Sequence, residues 1–341
     1  MTDMHLTTQT QLMFAVQAKR NWRKWAYPAL LAVIYFLWIS YMFATQKWDL
    51  LAEHWTISLT MGFGSLVAGA TAEGGAAVAF PVFTKVLNIA PENARTFGLM
   101  IQSAGMTTAA FFIYLHRIRI LGRVILWVTI GGIIGQIIGT YAFIMPDPYP
   151  RILFTLVAGM FGLTVLMQLF SNRKEPRISM PAWTHSMTAL FIITGIIGGI
   201  FAAHTGAGVD MLTFIVLTLT FRMNVKISTP TTVVIMALNS LFGFYLHGVV
   251  SQDIGIVWDY WLVAVPIVVI GAPLGAYLAS KVSHYSIMGF LLALIALEVV
   301  TTVWLVPIST GQLIAMLFVM AGTCFAFAGL LYLNHRIYRG Q

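Results

Sequence analysis

The chain has 341 residues, of which 59% are hydrophobic and only 9% charged, and its formal net charge is +8. A soluble domain carries about 25% charged residues, so this chain lacks the polar surface that a water-facing protein needs. The basic excess lies mostly between apolar runs, where it sets orientation in a membrane, and it is no sign of a nucleic-acid partner.

The first 24 residues are polar and end in Lys19-Arg20-Asn21-Trp22-Arg23-Lys24. The apolar run that follows, 25–44, exceeds the roughly 7–15 residues of a signal core and reads as a first transmembrane helix with a cytoplasmic N-terminus. A second basic cluster, His116-Arg117-Ile118-Arg119 with Arg123, is also expected inside. The run 93–115 ends at that cluster and so starts outside. The stretch 55–87 then has to start and end on the same outer face. That fits a re-entrant hairpin with arms 55–70 and 74–87, whose turn at membrane depth is tolerated where it is buried in protein or lines a cavity.

The same rule carries on along the chain. Runs 121–145 and 152–170 go out and return to the basic loop 173–177. The stretch 185–221 starts and ends inside, a second hairpin from the opposite face. Runs 228–246, 258–279, 285–305 and 312–333 alternate to a basic cytoplasmic tail. Eight spans and two hairpins result, with ten full spans as the alternative. Cys324, the single cysteine, lies in the last run as a small apolar-helix residue, and it excludes an internal disulfide or thiolate metal cluster.

An internal repeat supports the hairpins. Gly64, Thr71 and Gly74 recur as Gly198, Thr205 and Gly208, a shift of 134, and Gly135-Gln136-Ile137-Ile138-Gly139 recurs as Gly271-Ala272-Pro273-Leu274-Gly275, a shift of 136. Each unit is one hairpin and three spans, an odd number of crossings, so the second unit is inverted relative to the first. The expected architecture is an all-α polytopic membrane protein of two inverted repeats with an extra helix at each end. Its segments are the N-terminal 1–24, the first helix 25–45, repeat one 54–170, a linker 171–184, repeat two 185–305, and a last helix with basic tail 309–341. The GxxxG pairs are read as close helix packing.

The two hairpin tips carry the chemistry. The first reads Thr71-Ala72-Glu73-Gly74-Gly75, the second His204-Thr205-Gly206-Ala207-Gly208-Val209-Asp210. Each second arm begins at its tip, so free backbone N–H groups and the positive helix pole suit a small anion, and the glycines let it approach. Glu73 and Asp210 would repel that anion unless they are protonated or hold a cation, which makes them coupling residues for protons, or for Na+ as second choice. The bland alternative is a helix cap. His204 is a candidate proton relay, and Glu298, alone in an apolar run, either lines the cavity or pairs with a polar neighbour. Gln102 and Ser103 on the first span after a hairpin, and Asn239 on its counterpart, are candidates for hydrogen bonds to substrate oxygens. No cofactor, no metal and no enzymatic constellation is expected. Gly208-Val209-Asp210 has no convincing second catalytic segment, and neither a nucleotide-binding loop nor a zinc-hydrolase motif occurs.

The doubled motif, with Pro81 after its first copy, resembles the sulfite exporter TauE/SafE family of bacterial and plant membrane transporters. The resemblance runs from about 56 to 333 and implies a secondary carrier of sulfite, sulfonates or related anions in a plasma membrane, the bacterial inner membrane for a bacterial protein. Glu73 stands where the family motif has a glycine, and Val209 and Asp210 replace two more. These departures point to coupling or cargo of this chain's own. A cation carrier using the same carboxylates is the alternative, and an intramembrane enzyme a remote one.

Overall fold

The computed structural model describes residues 25–71, 73–142, 144–169, 176–307 and 309–312, with 314, 318, 322 and 329. The expected N-terminal segment 1–24, most of the linker loop 173–177, most of the last helix 312–333 with its tail, Ala72 and Cys324 lie outside the described residues. The described residues form helices and turns, with one isolated bridge between Arg177 and Met223.

The elements in order are α1 (Trp25–Thr45), the short α2 (Leu50–Glu53), α3 (Trp55–Ala70), α4 (Ala76–Pro81) running into a π turn (Val82–Val86), α5 (Pro91–Leu115), α6 (Gly122–Tyr141), α7 (Tyr149–Leu169), α8 (His185–Thr205), α9 (Val209–Ile215) with a π turn (Val216–Thr220), α10 (Val225–Tyr245) with a π turn (Leu246–Val250), α11 (Val257–Lys281) and α12 (His284–Leu305). Their ends follow from local chemistry. Pro91 opens α5, where a missing N–H costs nothing. The side chains of Thr184, Asn224 and Ser283 accept hydrogen bonds from the first turns of α8, α10 and α12.

Among the described residues, eight helices are long and apolar enough to cross a membrane. Seven of them match expected spans. The eighth is α8, expected as a hairpin arm, yet 21 residues long against 16 for α3. At about 1.5 Å per residue α8 reaches roughly 31 Å, about a full hydrocarbon core.

The two halves of the chain share their register. The helix starts at Pro91 and Val225 are 134 residues apart, and so are the π turns at Val82–Val86 and Val216–Thr220. Packing repeats too: α6 lies against α8, and α11 against α3. Glycines make both contacts possible. A Cβ at Gly135 would lie 2.1 Å from the Ile196 carbonyl oxygen, and one at Gly275 would lie 2.1 Å from the Leu66 oxygen. The backbones therefore touch, as small-residue stripes allow in lipid, where no hydrophobic drive presses helices together. At the centre α5 packs against α10. The start of α5 lies at the end of α10, since the methyls of Leu99 would be 3.0 and 3.1 Å from a Cβ on Gly243. Helix α1 stands at the edge and is tied to α11 by side chains. Tyr27 and Trp38 donate to the carbonyls of Val269 and Leu262, each at 2.8 Å, and Tyr35 donates to Pro266.

Candidate functional site

Helix α3 stops because the backbone of Thr71 is extended, with φ −133° and ψ 169°. Its hydroxyl donates to the Val67 carbonyl at 2.9 Å and accepts the Glu73 N–H at 3.3 Å, closing the end of the helix. Gly74 then takes φ +73°, a conformation that costs a side-chain-bearing residue. The chain turns back, so that a Cβ on Gly75 would sit 3.6 Å from Ala68. The second break shares the threonine-to-carbonyl bond, but there the helix runs through Thr205 and ends at Gly206. Thr205 bonds the Phe201 carbonyl at 2.9 Å and the Ala207 carbonyl at 2.8 Å, Gly206 takes φ +77°, and Val209 comes back against Gly198.

The two breaks meet over Gln102 of α5. Its amide nitrogen donates to the carbonyl of Gly206 at 2.7 Å and to that of Gly98 at 3.0 Å. Its amide oxygen is buried without a partner. That oxygen faces the first break, because a Cβ on Gly74 would lie 2.5 Å from it, and the same Cβ would lie 2.9 Å from Oδ2 of Asp210. Gly74, Gly75, Gln102, Gly206, Gly208 and Asp210 thus form one buried cluster assembled from three separate segments.

The two acids differ. Gly208 holds the cap position of α9, and Asp210, in the first turn, accepts with Oδ1 the N–H groups of Gly208 at 3.1 Å and Met211 at 3.0 Å. The other oxygen, Oδ2, is buried with no donor. Glu73 caps nothing in the described structure: the cap position of α4 is Gly75, and Glu73 Oε1 is buried without a partner. Glu73 lies within electrostatic reach of Asp210 and of Glu298. Exposure is 2% for Glu73 and 1% for Asp210, so both carboxyl groups lie away from bulk solvent.

Other expected residues lie elsewhere. Ser103 bonds the Met100 carbonyl of its own helix at 2.7 Å. Asn239 belongs to the α6 contact: its side chain donates to Ile235 at 2.9 Å, its carbonyl accepts from Gln136 at 3.0 Å, and its Oδ1 would lie 2.1 Å from a Cβ on Gly132. His204 is buried beside Arg95, whose Nη1 donates to the Ala203 carbonyl at 2.9 Å. Glu298 takes the pairing alternative. Its Oε2 is 2.6 Å from the ammonium of Lys85, and its Oε1 accepts from Thr155 at 2.8 Å and Thr302 at 3.2 Å.

Lys85 and Arg95 are the residues that sequence reasoning passed over. Lys85 stands in the middle of the apolar stretch after Pro81. An isolated cation there, read together with the isolated Glu298, signals a buried pair.

A cavity of about 270 Å³ opens beside the first break. Gly69 and Thr71 lie on its wall, with Ile113 from the end of α5 and Val225, Thr229 and Val233 from the start of α10.

No curated protein and no solved structure matches the chain. The model of the family "Sulfite exporter TauE/SafE" matches residues 56–300, from the second residue of α3 into α12, leaving α1 outside. That stretch contains both breaks and Gln102 between them. The chain is a multi-pass membrane protein that belongs to the TauE/SafE sulfite exporter family, a family of membrane transporters of sulfur anions.

Proposed function

We propose that the protein is a secondary carrier of sulfite, sulfonates or a related small sulfur-containing anion, coupled to protons through Glu73 and Asp210. The helix breaks are then the tips of two re-entrant hairpins, entering from opposite faces of two inverted repeats, with the substrate held between them near the bilayer midplane; α8, longer than α3, then runs tilted or starts outside the hydrocarbon. The common register of the halves supports the repeats. The basic clusters support a cytoplasmic side for both termini and for the start of α10. The repeat bounds remain 54–170 and 185–305, joined by the linker 171–184.

The observation that carries the coupling is the meeting of Gln102 Oε1 and Asp210 Oδ2 over Gly74, two buried acceptors with no donor. Unpaired buried acceptors are costly, and an unpaired buried carboxylate costs several kcal/mol. A proton on Asp210 would remove its charge and supply a donor toward Gln102. An anion nearby would favour that proton, and this mutual preference is the coupling. The backbone N–H groups at Gly74 and Gly75 and the glycines Gly206 and Gly208 provide the anion's contacts, while Thr71 and Thr205, whose hydroxyls donate to carbonyls of their own segments, shape the tips around it. Ser103 and Asn239 support the helices around it, and His204 relays protons toward the second tip.

The oxygen-rich character of the same cluster favours a second reading. Glu73, Gln102 and Asp210 present three free acceptor oxygens, a donor set that suits Na+ as well as a proton. Uptake of labelled sulfite into proteoliposomes under separate pH and Na+ gradients decides between them. Uptake accelerated by the pH gradient alone supports proton coupling, and acceleration by Na+ alone moves the coupling ion to Na+. Movement of Na+ or protons with no sulfur anion moving overturns the anion cargo.

A further inference from the structure

The cavity beside the first break has a counterpart position beside the second, and the two differ. Six of its nineteen lining residues, Gly69, Thr71, Ile113, Val225, Thr229 and Val233, correspond, at the repeat shift of 134, to Ala203, Thr205, His247, Pro91, Arg95 and Leu99. These six also lie near one another. Arg95 donates to the Ala203 carbonyl, His247 senses the charge of Arg95, and the Arg95 carbonyl lies 2.8 Å from where a Cβ on Gly206 would sit. A short side chain, Thr229, stands on the first side. An arginine stands on the second, in the space that the repeat leaves open on the first.

We infer that the cavity at Thr71 is the open half of the permeation path and that Arg95 is the plug that closes the matching half at the second break. This rests on the carrier reading above and adds the device that decides which face the site meets. The first face is open because Thr229 is too short to cross to the end of α3. The second is shut because the guanidinium of Arg95 reaches the last turn of α8, with Asp253 and Glu92 near enough to hold its charge. One hydrogen bond to a carbonyl is a modest latch, strong enough to hold a closed state and weak enough to release when the site is loaded. Opening this side requires Arg95 to leave Ala203, and an arginine so freed at the mouth would meet an arriving anion with up to five donors.

The test reads access without transport, so it fails or holds independently of the carrier reading. Val233→Cys and Leu99→Cys, at equivalent positions, are placed singly in a Cys324→Ser background and reconstituted in vesicles. A charged, membrane-impermeant thiol reagent is then applied to each face. Val233→Cys should react from the Lys226 face, and Leu99→Cys should react slowly from both. Adding Arg95→Thr, the residue of the other repeat, should raise Leu99→Cys labelling from the Glu92 face by about tenfold or more. Arg95→Lys, which keeps a donor, should leave it slow. If Arg95→Thr does not fold, as judged by gel filtration and melting, Arg95→Gln is read in its place. Leu99→Cys labelling that is fast with Arg95 intact, or unchanged in the folded Arg95 variant, overturns the plug.

Discussion

Gly74 and Asp210, from different breaks, are so close that no side chain fits between them: a Cβ on Gly74 would lie 2.9 Å from Asp210 Oδ2. Neither Asp210 nor Gln102 is free to give way. Asp210 is held by two backbone N–H groups and Gln102 by two carbonyls. Gly74→Ala should therefore break one of these sets and add the strain of φ +73°, on the order of 1–2 kcal/mol. Transport should fall at least about tenfold while the protein still runs as a folded peak in gel filtration. Flux per folded molecule checks it.

Gln102 ties α5 to the second break across 104 residues of sequence. Gln102→Leu removes that tie and leaves the Gly206 carbonyl buried without its donor, a cost of about 1–3 kcal/mol. Gln102→Glu should be worse, because it aims a carboxylate at the carbonyls of Gly98 and Gly206. Melting in detergent should rank wild type above Gln102→Leu above Gln102→Glu.

Lys85 and Glu298 make a pair with side-chain exposures of 3% and 7%. Removing one partner strands a buried charge, so Lys85→Met or Glu298→Met should each cost about 3–5 kcal/mol. The double variant should recover much of that loss, which a double-mutant cycle measures. A double variant no more stable than the worse single would mean that the two groups do not neutralise each other.

The α6–α8 contact sets a control. Gly199→Leu places a side chain where a Cβ alone would lie 2.2 Å from the Gly132 oxygen. Folded yield should collapse, with no separate effect on transport in whatever folds.

The breaks are legible in the sequence because glycines, threonines and single acids are conspicuous in apolar runs, and because the register of the halves repeats. Thr71 and Thr205 each bond back to the carbonyl four residues earlier for that reason. Side-chain direction was less legible. Ser103 lies next to Gln102, yet it bonds back to Met100, since a buried hydroxyl in an apolar helix takes the nearest carbonyl. Asn239 occupies the face that meets Gly132, and which face a helix turns toward the centre depends on neighbours far away in sequence. Lys85 and Glu298 are 213 residues apart, and only folding brings them together. The length of α8 was legible as a run of apolar residues, but its reach beyond that of α3 shows only once Gly206 is seen to end it.

The central claim is that the free oxygen of Asp210 must be neutralised for the anion to move. Its most direct test is the rate of labelled sulfite exchange across proteoliposomes, at equal pH on both sides over a range of pH, for wild type and Asp210→Asn. The account predicts wild-type exchange that rises as pH falls, and an Asp210→Asn variant that exchanges sulfite with little response to pH and no longer accumulates it under a pH gradient. An Asp210→Asn protein that keeps the wild-type pH profile and still accumulates sulfite under the gradient would contradict it.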